Sequence, residues 1–178
     1  MNTLAGEGRH EETIQRSRFV AIAFPACGEE GFLARLGEIR AEFPGATHFV
    51  WAYSVRESGG QLRTRFHDDG EPKNSAGKPA LAPLQGRELI NAAGVVGRYF
   101  GGSTLGVGGL GRASGGAAAA ALDAAGVTPL VRRERHRLEV PYAVLRETEH
   151  RLAARGARIL HKEFAANVII EYELTVPE

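Results

Sequence analysis

The chain has 178 residues, 43% of them hydrophobic and 24% charged, an ordinary globular composition with room for one medium domain or two small ones. A formal net charge of +1 excludes a whole-molecule basic field for nucleic acid and an acidic excess for cation storage, so any such signal must be local. The single cysteine, Cys27, cannot form an internal disulfide, and no Cys/His spacing matches a structural zinc site. This fits a reducing cytoplasm, with no metal and no cofactor expected.

The polar start MNTLAGEGRHEET lacks the apolar stretch of a secretion signal. The most apolar later segment, 105–130, is interrupted by Arg112 and Asp123, so no membrane span is expected. SRFVAIAFPA (17–26), rich in aromatic and β-branched residues, reads as a strand. GEEGFLARLGEIRAEF places Phe32, Leu33, Leu36, Ile39 and Phe43 at helical spacing until Pro44 and Gly45 stop it. THFVWAYSVR (47–56) and QLRTRF (61–66) read as two strands joined by ESGG, a hairpin turn. HDDGEPKNSAGKP (67–79) is a loop by composition, and Pro79 suits the first residue of a helix through PALAPLQGREL. INAAGVVGRYF (90–100) returns to strand character, and the following helix, LGRASGGAAAAALDAAG, puts Leu110, Ala113, Ala117, Ala120, Ala121 and Ala124 on one face.

Composition then shifts. RHRLEVPY (135–142) reads as a strand, AVLRETEHRLAARG as a helix, and ARILHKEF and NVIIEYELTVPE as two further strands, a second β-α-β-β unit. The expected fold is α+β in two domains, 1–130 and 131–178. The second is two elements short of a ferredoxin-like β-α-β-β-α-β sandwich, and Pro177 before Glu178 suits a helix start, so a terminal helix and strand are inferred to be missing.

Four stretches are candidates for chemistry. Residues 131–162 hold nine Lys/Arg against four Asp/Glu, a net +5. Arg132, Arg133, Arg135, Arg151, Arg155 and Arg158 are there the candidates for a polyanion contact, or else a solvated arginine-rich face. In HDDGEP, Asp68, Asp69 and Glu71 offer oxygen ligands or a base, but without the alternate spacing of a calcium loop; the alternative is a turn with Gly70 at positive φ. His48 opens a strand in which Phe49, Trp51 and Tyr53 share the opposite face, either core or a surface for stacking bases. Finally, glycine fills eight of the sixteen positions 101–116. Without lysine between Lys78 and Lys162 this is no P-loop, and without an acidic residue at the right distance the G-x-G-x-x-G at 106–111 is no Rossmann fingerprint. What remains is an anion nest of Gly106, Gly108 and Gly109 with Arg98 and Arg112, or a structural loop.

In combination, ATHFVWAYSVR, FHDDGEPKNSAGKP and VVGRYFGGSTLGVGGLGRASG resemble the YigZ/IMPACT family, with its T-H strand, DDGEP…AGKP loop and RYFGG-x-x-LG-x-GGL-x-RA loop. The resemblance spans 17 to about 125. It implies an α+β first domain like one shared by a ribosomal small-subunit protein, elongation factor G and the GHMP kinases, and a small ferredoxin-like second domain. The family pattern falls on His48, Asp68, Asp69, Glu71, Arg98, Gly106, Gly108, Gly109 and Arg112. It departs at Gly97, Thr104 and Ser114, where threonine, lysine and tyrosine are usual, so the loop loses its one flexible cation. Eukaryotic relatives regulate translation by binding another protein. The resemblance therefore implies a non-enzymatic binding protein linked to translation, engaging RNA, ribosome or a translation factor. The alternative is an enzyme on a phosphorylated or nucleotide substrate, using the glycine-rich loop and the DDGEP carboxylates.

Overall fold

The computed structural model describes residues 1–177, which fall into two compact units, Met1–Pro129 and Leu130–Glu178. In the first unit the elements run β1 (Asn2–Leu4), β2 (Gly8–Ile14), β3 (Ser17–Pro25), α1 (Gly28–Glu42), β4 (His48–Arg56), β5 (Leu62–His67), α2 (Gly77–Gly86), β6 (Ala92–Tyr99), α3 (Gly106–Ala125) and β7 (Val127–Pro129). Five strands form one sheet in the order β2-β3-β6-β4-β5, every neighbour antiparallel, while β1 and β7 make a small ribbon.

The strands β3 and β6 are apolar at almost every position because helices cover both faces of the sheet. On one face Ile22, Phe24, Tyr53, Val55 and Val95 pack with Phe32, Leu36 and Ile39 of α1. The Phe32 ring is fully buried, 5.0 Å from Trp51 and 4.7 Å from Tyr53. Its burial contributes about 2 kcal/mol. The aromatic stripe of β4 is thus core. On the other face Phe19, Ala21, Val50, Ala52 and Val96 meet α2 and α3. The small side chains of α3 let it lie against α2, where a Cβ on Gly115 would stand 3.1 Å from the Pro79 carbonyl oxygen.

Several sequence expectations need correction. Residues 2–14 form strands, although β2 hides its pattern by carrying charged side chains along an outer edge of the sheet. Leu33 is 53% exposed instead of joining the buried face of α1. α2 begins at Gly77, two residues before Pro79, because the Asp68 carboxylate accepts the N–H groups of Ala76 and Gly77 and so caps the helix from outside. α3 begins at Gly106 and takes the GVGGLG run into the helix itself. Its buried face includes Ala118, Leu122 and Ala125 in place of Ala120 and Ala124.

The second unit contains β8 (Val131–Val140), a 3₁₀ turn (Tyr142–Val144), α4 (Leu145–Ala154), β9 (Arg158–Phe164) and β10 (Val168–Pro177). The sheet order is β8-β10-β9, with β10 antiparallel to both neighbours, a split β-α-β arrangement. Leu138, Val140, Val168 and Ile170 pack with Leu145 and Leu152 of α4 on one face. β8 is longer than its sequence pattern suggests and pairs with β10 along its whole length, Arg135 opposite Glu173 and Arg137 opposite Glu171. Such cross-strand pairs of opposite charge favour the register. Pro177 continues the strand opposite Val131 and does not start a helix; Glu178 lies outside the described residues. No helix among the described residues is long and apolar enough to cross a membrane.

The glycines at 101–116 differ in what they allow. A Cβ on Gly101 would stand 2.0 Å from the Arg16 carbonyl oxygen, whereas one on Gly116, exposed in α3, meets nothing within 4 Å. Gly101→Ala is expected to destabilise the first unit by about 3 kcal/mol, and Gly116→Ala to stabilise it by about 0.5–1 kcal/mol. Urea unfolding of the two variants checks both signs.

Candidate binding site

Arg98 stands near the end of β6, with His48 opposite it on β4 and Phe19 opposite it on β3. All three side chains therefore project toward the α2/α3 side of the sheet. The loop after β5 closes over them. Arg98 Nη1 donates to Glu71 Oε1 at 2.7 Å, and the two side chains are only 8% and 5% exposed. Arg98 Nη2 donates to the Ser17 hydroxyl at 3.3 Å. The guanidinium lies 5.6 Å from the Phe19 ring centroid and 5.5 Å from that of Phe100. Its Nε is buried without a partner.

The rest of the DDGEP loop is fastened to the same frame. Asp69 Oδ2 accepts the Phe49 N–H at 2.7 Å, and Arg40 approaches Asp69 Oδ1 at 3.6 Å. His48 Nδ1 lies 2.7 Å from the Asp69 carbonyl oxygen. Because a carbonyl only accepts, Nδ1 carries the proton, leaving Nε2 at 3.9 Å from Glu71 Oε2. Gly70 turns the chain at φ +88° directly against the His48 ring. Asp68 accepts three backbone N–H groups, from Gly77 and Asn74 at 2.7 Å each and from Ala76 at 3.1 Å. Burial pushes the Asp68 carboxyl up, but these bonds outweigh it and hold it below its ordinary value.

Between this loop and the start of α3 lies a cleft of about 420 Å³. Thr47, His48, Glu71, Arg98 and Thr104 supply its polar groups, while Pro72, Phe100, Leu105, Val107 and Leu110 supply apolar walls beside Gly106. His48, Glu71, Arg98 and Gly106 therefore meet in one place, with Asp68 and Asp69 holding the loop behind them. Gly109 and Arg112 do not join them. They line a separate groove with His10, Glu12 and Gln15 of the first hairpin, and Gly108 and Arg112 are both exposed. The anion set read from the sequence is thus divided, and its buried arginine already holds a carboxylate. Ser17, Thr47 and Phe100 escaped sequence reasoning, because only the pairing of β3, β4 and β6 brings them to Arg98.

The six candidate arginines of the second unit are also divided. Arg133, Arg135 and Arg158 approach one carboxylate, Glu173, at 3.7, 3.9 and 3.2 Å. Arg132 pairs with Glu134, Arg151 pairs with Glu147 on α4, and Arg155 caps the end of that helix.

Removing one member of a buried ion pair strands the other. Arg98→Met or Glu71→Leu alone is expected to cost about 3–5 kcal/mol, and the double variant clearly less than the sum, as a double-mutant cycle by urea unfolding will show. The lowered Asp68 carboxyl carries a pH sign. Its stabilising bonds are fully present above the ordinary carboxylate range and are lost as pH falls through and below about 4. Asp68→Asn is therefore expected to flatten the acid limb of a stability-against-pH curve, measured by thermal unfolding.

Residues 15–122 match the Impact N-terminal domain. Over 142 residues the chain is 44% identical to an IMPACT family member in the pol 5′ region of Thermus thermophilus, covering 80% of this chain and 75% of that one. It is 33% identical over 163 residues to the IMPACT family member YigZ of Escherichia coli, covering 92% and 80% of the two chains. A crystal structure of a hypothetical protein is similar over 97% of this chain and 84% of its own, at 33% identity and a TM-score of 0.66. With residues 15–122 matching the family's N-terminal domain and relatives of 33–44% identity aligned over most of the chain, the protein belongs to the IMPACT family.

Proposed function

We propose that this protein is a non-enzymatic binding protein linked to translation, and that it engages RNA through the helix-free face of the β8-β10-β9 sheet. Membership of the IMPACT family supports the link to translation. The observation that carries the RNA reading is the gathering of Arg133, Arg135 and Arg158 around Glu173. Leu138 and Val140 of β8 face α4, so the odd-numbered Arg133, Arg135 and Arg137 project from the opposite side of the sheet. The side chains of Arg133, Arg135 and Arg158 are 61%, 80% and 67% exposed over a Glu173 that is 10% exposed. One carboxylate lies among three guanidinium groups, hydrogen-bonded only to Arg158, and offsets only part of their charge. Such exposed pairs are weak, so the arginines remain available to phosphate.

The enzymatic alternative needs free carboxylates. Asp68 is bound to three backbone N–H groups, Asp69 to that of Phe49, and Glu71 to Arg98, which supports a fold-holding role for the DDGEP loop.

Fluorescence anisotropy with a labelled single-stranded RNA across a salt series tests the reading. Each phosphate contact is expected to contribute about −0.7 to the slope of log K against log salt, so replacing Arg133, Arg135 and Arg158 together by alanine should reduce the slope by about 2 and the affinity at least about tenfold. Glu173→Gln should strengthen binding by removing the opposing charge. Affinity that ignores both salt and these substitutions would sink the RNA reading.

A further inference from the structure

We propose that the cleft of the first unit binds a small aromatic primary amide, its amino hydrogens donated to His48 Nε2 and Glu71 Oε2 and its ring lying against Phe100 and Val107. This site lies within the first unit and is independent of the RNA reading.

No protein hydrogen lies between His48 Nε2 and Glu71 Oε2. His48 Nδ1 donates its proton to the Asp69 carbonyl oxygen, so Nε2 presents a lone pair. Glu71 binds Arg98 through Oε1, and its Oε2 has no hydrogen-bond donor among the described residues. The two acceptors face each other at 3.9 Å, and both residues line the cleft. With the Glu71 side chain only 5% exposed, its second oxygen is largely cut off from bulk water and calls for a donor delivered through the cleft. Two accepting atoms side by side repel an anion. A hydroxyl brings them one hydrogen, whereas an amino group brings one for each. An ammonium would add a second cation to a carboxylate that Arg98 already neutralises, and no other acidic side chain among the described residues lines the cleft. A neutral amide nitrogen satisfies both the hydrogen bonding and the charge. The amide carbonyl has a donor at hand, because the Thr47 hydroxyl oxygen accepts the Phe100 N–H at 3.1 Å and keeps its own hydrogen to give. The remaining walls are largely apolar, with Phe100 at 51% and Val107 at 64% exposure offering surface to a ring. A volume of about 420 Å³ with a few convergent polar groups among apolar walls suits a small molecule.

The test is an NMR titration of the full-length, nitrogen-labelled protein with 3-phenylpropionamide, alongside N,N-dimethyl-3-phenylpropionamide, 3-phenylpropylammonium and 3-phenylpropionate. Before ligand is added, a long-range proton–nitrogen spectrum at a pH of about 8, above the ordinary histidine range, is expected to show His48 Nε2 unprotonated. 3-Phenylpropionamide should then shift the His48 Nε2 signal and the backbone amides of Phe100 and Val107 saturably, and the three controls should bind at least about tenfold more weakly, the cost of one or two lost hydrogen bonds. Val107→Trp narrows the apolar side of the cleft at an exposed position, so this variant should keep the thermal midpoint while clearly weakening 3-phenylpropionamide. The proposal is overturned by a protonated Nε2, by an absence of saturable shifts at these groups, by any control that binds as tightly as the amide, or by a folded Val107→Trp protein that binds as before.

Discussion

The Arg98–Glu71 pair sets the terms for the first unit. A guanidinium and a carboxylate removed from water must stay together, because either alone would carry a large desolvation penalty. Glu71 sits on a loop and Arg98 on the central strand β6, so the pair fastens an irregular segment to the most buried part of the sheet. The consequences spread outward through ordinary hydrogen bonds. With Glu71 fixed, Asp69 reaches the Phe49 amide and Asp68 reaches the amides that begin α2. α2 in turn supports α3 through the close contact of Gly115 with Pro79. The ion pair thus ties the DDGEP loop and the start of α2 to the sheet, and with them one side of the cleft.

Much of this was readable in the sequence, and the reasons for the remainder are specific. The apolar runs of β3 and β6 announced themselves because both faces are covered, and the helical spacing of Phe32, Leu36 and Ile39 identified α1. β2 went unseen because its outward charges mask its period. The start of α3 was misplaced because glycine propensity argues for a loop, while docking against α2 and the sheet overrides it. The order of motifs pointed to DDGEP and RYFGG as a linked signature. That Arg98 should be the partner of Glu71, and Arg112 should not, depends on strand register, which no local pattern in the sequence specifies.

The two units manage charge differently. In the first, the Arg98–Glu71 pair is withdrawn from water and closely matched, which suits a frame that must hold a shape. In the second, several arginines share one buried glutamate and remain in solvent. Their order comes from strand register instead of desolvation, and no charge is left stranded in the interior.

Six of the twenty residues of α3 are glycine, all in its first eleven positions. Each is worth about 1 kcal/mol less than alanine in a helix, so this half of α3 has little reason to be helical except where it is docked. Its helical state therefore leans on the surface that the sheet and α2 provide. The cleft thus joins a floor built on a buried ion pair to a wall made from the most glycine-rich helix turns of the unit. Its shape is set by how well α3 is seated from moment to moment, and anything that occupies it acts also as a clamp on the order of that helix.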